Sequence, residues 1–211
     1  MSLLWLIRII LIIWLFIQVL AFVPIISSRE KYSAFLENFK LNLFLVILYN
    51  AVCYTIVLLP PDTTIFYPPA ILNNELVAQW YNIIGSSLVF IAIGILILTI
   101  RSRKVVGGQD TGKNLLTTGV YAISRHPIYL GISLISIGLS VASRNFDALI
   151  MLPFILVANY LEAKLEETYD VGIRFKEQYY DYKKRTKMFG PYWFWILVII
   201  LLTLPLTLSF L

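Results

Sequence analysis

Apolar runs of nearly membrane-spanning length recur along the whole chain, with polar stretches between them. Six runs are predicted to form helices that cross or enter the bilayer: residues 3–26, 41–59, 81–100, 128–142, 146–161 and 192–211. A helix of about 20 apolar residues matches the hydrocarbon core of a membrane. The pattern therefore predicts an all-α fold, a polytopic membrane helix bundle of five to six transmembrane helices.

The fourth and fifth runs are predicted to form a tight hairpin. Only Ser143, Arg144 and Asn145 separate them, and a break this short joins antiparallel neighbouring helices. The hairpin returns the chain to the side it left. The charged stretch 162–187 is therefore expected on the same membrane face as residues 125 and 126.

The positive charges predict the orientation of the bundle. With six spans, the connections 27–40, 101–126 and 162–187 share one face, and they hold three, five and seven of the 17 lysines and arginines. Only Arg8 and Arg144 fall elsewhere. Because lysine and arginine favour the cytoplasmic side, we predict a multi-pass integral membrane protein with these connections in the cytoplasm and both termini outside.

Composition narrows the class further. Hydrophobic residues make up 59% of the 211 residues and charged residues 14%, against roughly 25% charged in soluble domains. This predicts one membrane domain without a separate soluble catalytic module. The net charge of +5 is explained by a basic rim against anionic lipid, so no nucleic acid partner is expected. Cys53 is the only cysteine, which excludes an internal disulfide and a multi-cysteine metal site; no metal is expected.

Candidate chemistry begins in the stretch Thr117–Gly131, which precedes and enters the fourth run. Arg125 offers a planar fork of donors for a carboxylate or phosphate. His126 is the only histidine and titrates near neutrality. Pro127 suits the first turn of a helix, so both side chains are predicted at a positive helix end that favours an anion.

A second group follows the fifth run and combines carboxylates with aromatic rings: Glu162, Glu166, Glu167, Phe175, Tyr179, Tyr182 and, beyond them, Arg185. Carboxylates and ring faces suit a cationic ligand centre such as a sulfonium or ammonium. The alternative interpretation is that the basic rim signals only topology and the aromatic stripe only anchors the helix at the interface. No G-x-G-x-x-G or Walker loop is present, so no Rossmann or P-loop nucleotide domain is indicated.

The order of these motifs carries a resemblance. Residues 115–191 are similar to the isoprenylcysteine carboxyl methyltransferase and phospholipid methyltransferase superfamily. The similarity lies in three features in order: T-x-G-x-Y-x-x-x-R-H-P-x-Y-x-G, an apolar hairpin, and then E-E…F-x-x-x-Y-x-x-Y…R…P. The resemblance implies an S-adenosylmethionine pocket built by the C-terminal half below the membrane surface. It implicates Tyr121, Arg125, His126, Pro127, Tyr129, Glu166 and Glu167 in cofactor binding, and Arg125, Glu167 and Arg185 in catalysis.

In roles, the resemblance implies that Arg125 holds the cofactor's carboxylate and that Glu166 or Glu167 binds its ribose hydroxyls or amino group. Arg185 would orient an anionic group of the substrate. The chain departs from the family pattern twice. Lys176 follows Phe175 where the family has glycine, and the glutamate pair lies one residue farther from Phe175 than is usual.

The implied activity is methyl transfer to a lipid or amphipathic membrane substrate, a prenylcysteine-like carboxylate or a phospholipid amine; a thiol acceptor also stays open. The expected partners are that membrane substrate and the bilayer. The expected division is residues 1–110 as N-terminal spans that specify substrate, 111–191 as the methyltransferase core and 192–211 as a C-terminal span. The alternatives are an NADPH-dependent sterol or isoprenoid reductase-like enzyme and a non-catalytic membrane module of the same fold.

Overall fold

The computed structural model describes residues 70–103 and 114–208, together with a few isolated residues between 6 and 34. Within this part of the chain the regular structure is helical and contains no strand, which confirms the predicted all-α class there. The predicted run 41–59, most of the run 3–26 and the polar connection after residue 103 lie outside the described residues.

Six α-helices follow one another in the described ranges: α1 Glu75–Arg103, α2 Val120–Ile123, α3 Pro127–Ser143, α4 Phe146–Glu166, α5 Gly172–Arg185 and α6 Tyr192–Leu208. A 3₁₀ turn, Ala70–Asn73, precedes α1, and a π-helical turn, Glu167–Val171, joins α4 to α5. Helix α1 begins six residues before the predicted run. The cause is Asn74, whose side chain accepts a hydrogen bond from the Leu76 N–H at 2.9 Å and caps the helix.

The predicted hairpin is present in α3 and α4. Arg144 adopts a left-handed conformation, with φ 52°, and ends α3; the Asn145 side chain then accepts from the Ala148 N–H and caps α4. Deep between the two helices, the Asn159 amide donates to the Ser133 hydroxyl at 3.0 Å, and both residues are buried. This bond pairs the antiparallel helices and satisfies a polar group in an apolar setting.

Helices α1 and α3 pack with their backbones close together at Gly85 and Gly138. A Cβ atom added at Gly85 would lie 2.4 Å from the Gly138 carbonyl oxygen, and one added at Gly138 would lie 2.6 Å from that of Gly85. Small residues permit this approach between membrane helices. The main core surrounds the contact and includes Val77, Leu88, Ala92, Leu134 and Val141. The Tyr81 hydroxyl ties α6 to this core by donating to the Leu202 carbonyl at 3.0 Å.

Within residues 70–103 and 114–208, two helices are long and apolar enough to cross a membrane: Glu75–Ser102, with a mean hydropathy of 2.7, and the 40-residue helical path Phe146–Arg185. The second path would measure about 60 Å at 1.5 Å per residue, roughly twice the hydrocarbon thickness. Between Asp147 and Glu162 the path carries no charged residue, so this apolar first part is the one that suits a bilayer. Helices α3 and α6 are shorter apolar helices, and the five to six spans stay a prediction.

Candidate functional site

The candidate site forms where the segment before α3 meets the end of α5. The Arg125 N–H donates to the Lys187 carbonyl at 3.0 Å, and the His126 N–H donates to the Met188 carbonyl at 3.1 Å. The Ser124 hydroxyl donates to the same Met188 carbonyl at 2.7 Å. These bonds fix the arginine and histidine against the segment that follows α5, more than 60 residues away in sequence.

Glu167 lies at the centre of the site, and 2% of its side chain is exposed. Its Oε1 accepts from Arg125 Nε at 2.8 Å, lies 2.8 Å from Arg125 Nη2 and lies 3.2 Å from His126 Nε2. Its Oε2 accepts from Lys183 Nζ at 2.9 Å. The structure thus brings Arg125 and His126 into direct contact with Glu167 and Lys183 of the stretch 162–187, while their placement on one membrane face stays a prediction.

The cluster of Arg125, His126, Glu167 and Lys183 favours the charged forms of Glu167 and His126. Burial raises the pKa of Glu167, but hydrogen bonds from His126, Lys183 and Arg125 outweigh burial and hold the pKa well below its usual range. Burial lowers the pKa of His126, but its bonds with Glu166 and Glu167 outweigh that effect, so the net pKa is raised. The Nδ1 atom of His126 lies 3.3 Å from Glu166 Oε2. The two carboxylates thus favour the protonated form of the imidazole that lies between them.

The Arg125 guanidinium forms its hydrogen bonds with other groups of the protein. Besides Glu167, it binds main-chain carbonyls at the end of α5: Nη1 donates to Thr186 and, at 3.4 Å, to Lys183. Only 7% of the side chain is exposed. The resemblance assigned Arg125 and Glu167 separately to ligand contacts; the structure brings them together and pairs them with each other.

A cleft of about 400 Å³, including its open mouth, adjoins this cluster. Its walls combine aromatic, apolar and charged side chains: Leu115, Leu116, Tyr121, Arg125, His126, Glu166, Val171, Arg174, Phe175, Tyr179 and Tyr182. The Tyr182 hydroxyl donates to the Tyr121 carbonyl, so α5 is tied to α2 across the cleft. Four of the predicted cofactor-binding residues line it, and Glu167 lies directly behind them.

Three other predicted residues lie outside the lining. Pro127 is buried at the first turn of α3, where it begins the helix. The Tyr129 ring packs 5.8 Å from the His126 ring. Arg185 lies on the surface of α5, where its Nε donates to the Asp181 carbonyl at 3.3 Å. The structure therefore gives Pro127 and Tyr129 supporting positions and leaves Arg185 away from the cleft.

Both departures from the family pattern have a structural counterpart. A π turn holds one more residue than an α turn, and Glu167–Val171 accommodates the extra residue between the glutamates and Phe175. Gly172 permits this turn, since a Cβ there would lie 2.4 Å from the Glu167 carbonyl oxygen. Lys176 has φ 44° and ψ −119°, a conformation that favours glycine. The backbone thus keeps the shape that a glycine would adopt, with lysine in its place.

Two residues of the site were missed by the sequence reasoning. Lys183 binds Glu167 and lies four residues after Tyr179, so helical spacing along the aromatic stripe could have indicated it. Arg174 lines the cleft, but it sits between two irregular turns, and no periodic pattern marks it.

The described helices and this cleft define a helical protein with a charged, aromatic-walled site. The family model described as phospholipid methyltransferase matches residues 80–173. The match confirms the resemblance to the superfamily of membrane methyltransferases, and it supports methyltransferase activity on a lipid-like membrane substrate. No curated protein and no solved structure matches the chain.

Proposed function

We propose that the protein transfers a methyl group from S-adenosylmethionine to a lipid or amphipathic substrate in the membrane. One observation carries the proposal: the family match over residues 80–173 includes the Arg125, His126 and Glu166 part of the cleft wall, and ring faces lie beside a carboxylate in the same wall. That wall suits a sulfonium, which aromatic faces attract electrostatically.

The side chains present fit the cofactor. Tyr121, Phe175, Tyr179 and Tyr182 surround the cleft with aromatic surface. The Tyr179 hydroxyl is buried and makes no hydrogen bond of normal geometry to any described residue. Burial, together with the neighbouring Glu167 carboxylate, raises the pKa of Tyr179 above its usual range, so the hydroxyl keeps its proton beside that carboxylate. Glu166 supplies an acceptor for a ribose hydroxyl or an amino group.

S-adenosylmethionine supplies a methyl group already activated by its sulfonium, so the protein's part is alignment and the exclusion of water. Arg125 and Glu167 hold the segment before α3 against α5 and thereby fix the two walls of the cleft. His126 bridges Glu166 and Glu167, which keeps both carboxylates in place. These side chains act by positioning, and none of them needs to form a covalent bond.

The acceptor would approach from the bilayer, while the polar cofactor would enter from the cytoplasm. A carboxylate acceptor requires a nearby cation and no base, whereas an amine must first lose a proton. Cationic side chains and a carboxylate both line the cleft. Carboxylate, amine and thiol acceptors are therefore all candidates for the assay.

Two measurements test the proposal. Isothermal titration of the purified protein with S-adenosylhomocysteine should show saturable binding; its absence would exclude the cofactor. Incubation with methyl-labelled S-adenosylmethionine and total lipid, followed by thin-layer separation, should yield one labelled lipid class and so identify the acceptor. Cofactor binding without any labelled product would favour a non-catalytic module, and NADPH-driven reduction of a sterol or polyprenyl double bond would favour the reductase.

A further inference from the structure

Recognition of an anion in the cleft requires a cationic side chain with hydrogen-bond donors that the protein does not already use. Three cationic side chains line the cleft: Arg125, His126 and Arg174. Each can be assessed by the bonds that it already makes.

Arg125 is committed to the protein. Its Nε and Nη2 bind Glu167, and its Nη1 binds main-chain carbonyls at the end of α5. If it turned toward a ligand, Glu167, which is 2% exposed, would lose its principal partner inside the protein. Removing one partner of a buried ion pair is strongly unfavourable, so Arg125 stays bound to Glu167 and does not turn toward a ligand.

His126 is committed as well. Both ring nitrogens face carboxylates, Glu166 at 3.3 Å and Glu167 at 3.2 Å. An anionic ligand would have to displace one of them and would meet the other. The electrostatics beside His126 therefore suit a cationic or neutral part of a ligand.

Arg174 differs from both. Nη2 donates to Asp170 at 3.3 Å across one helical turn, and the guanidinium lies 4.9 Å from the centre of the Phe175 ring. Among the described residues it has no other hydrogen-bond partner, so most of its five N–H donors are unused. Its side chain is 28% exposed, and such a partly exposed i,i+4 pair with Asp170 yields readily to a better acceptor.

The backbone fixes this position. Arg174 lies between the π turn Glu167–Val171 and the left-handed Lys176, and the segment between these two irregular turns lines the cleft. The arginine thus reaches the cleft from the start of α5, whereas His126 reaches it from the segment before α3.

From this arrangement we infer that Arg174 is the anion-binding residue of the cleft, and that it takes either the carboxylate of the cofactor's amino acid or the phosphate of a lipid headgroup. The inference rests on the proposed function for the identity of the ligand. It replaces Arg125, the residue that the sequence assigned to that carboxylate.

The test compares Arg174→Gln and Arg174→Lys with Lys184→Gln, a control that removes an exposed cation of the same helix that is paired only with Asp181. Three probes are used with purified protein in detergent. S-adenosylhomocysteine carries the carboxylate, 5′-methylthioadenosine lacks the amino-acid part, and labelled phosphatidic acid presents a bare phosphate. Thermal unfolding of each variant checks that the fold is intact.

A carboxylate ligand predicts that Arg174→Gln weakens S-adenosylhomocysteine binding by about tenfold, the effect of one charge-assisted hydrogen bond, and leaves 5′-methylthioadenosine binding unchanged. A phosphate ligand predicts the same loss for phosphatidic acid instead. Arg174→Lys should lie between, since it keeps the charge and loses the fork.

The inference is overturned if Arg174→Gln behaves like Lys184→Gln with every probe, or if both nucleoside probes weaken equally. Failure of the wild-type protein to bind S-adenosylhomocysteine would refute the proposed function separately. The phosphatidic acid measurement then decides the role of Arg174 by itself.

Discussion

Glu167→Gln is the sharpest perturbation of the buried cluster. The substitution keeps the size of the side chain and removes its charge. Arg125 and Lys183 then lose their shared counter-ion, and His126 loses one of the two carboxylates that hold its proton. We expect destabilisation of the fold as well as loss of cofactor binding, because the cluster joins the segment before α3 to α4 and α5.

The magnitude follows from burial. Breaking a buried ion pair by removing one partner costs about 3–5 kcal/mol. The lower end applies here, since Lys183 is 38% exposed and can turn to water, whereas Arg125 is 7% exposed and cannot. For a chain of this size, a loss of about 3 kcal/mol lowers the Tm by roughly 6–12 °C.

The assay is thermal unfolding in detergent micelles followed by circular dichroism. Glu177→Gln removes an exposed carboxylate from the adjoining helix α5 and serves as the matched control, with a Tm close to that of the wild type. The double variant Arg125→Met/Glu167→Gln should be less destabilised than the sum of its single variants, because the uncompensated charge is gone. A Tm for Glu167→Gln equal to that of the control would refute the cluster as described.

Three further predictions concern packing, strain and pH. Gly85→Leu should abolish stable packing of α1 on α3, since its Cβ would lie 2.4 Å from a backbone oxygen. The control Gly94→Ala, whose Cβ would meet nothing within 4 Å, should retain the wild-type Tm. Equal unfolding curves for the two variants would contradict the contact between α1 and α3. Lys176→Gly should raise stability by about 1 kcal/mol by relieving the left-handed strain, and the Tm relative to Lys184→Gly measures it; no gain would argue against strain there. The pKa of His126 is raised above its ordinary 6.5, so its stabilisation is complete below pH 6.5 and is lost as pH rises through the folded pKa. As pH rises above 6.5, the Tm of the wild type should therefore fall more steeply than that of His126→Gln, and parallel profiles would count against the assignment.

The sequence by itself determined the class of protein and its local pieces. Runs of apolar residues predict membrane helices because a helix in lipid must satisfy its own backbone and bury no charge. Pro127 marked the start of α3, and the short polar break after Ser143 marked the hairpin, since both depend on neighbours in the chain. The ordered motifs also predicted the family that the comparison supports. The N-terminal spans and the division of the chain at residue 110 stay predictions.

Only the tertiary structure decided which charged groups face one another. Arg125 and Glu167 are 42 residues apart, and no local pattern shows that they neutralise each other. The π turn was equally hidden, because one extra residue rotates everything beyond it by about 100° and so selects which side chains of α5 reach the cleft. Arg174 stands in the cleft for that reason, while Arg185, which the motif pointed to, lies on the outer surface.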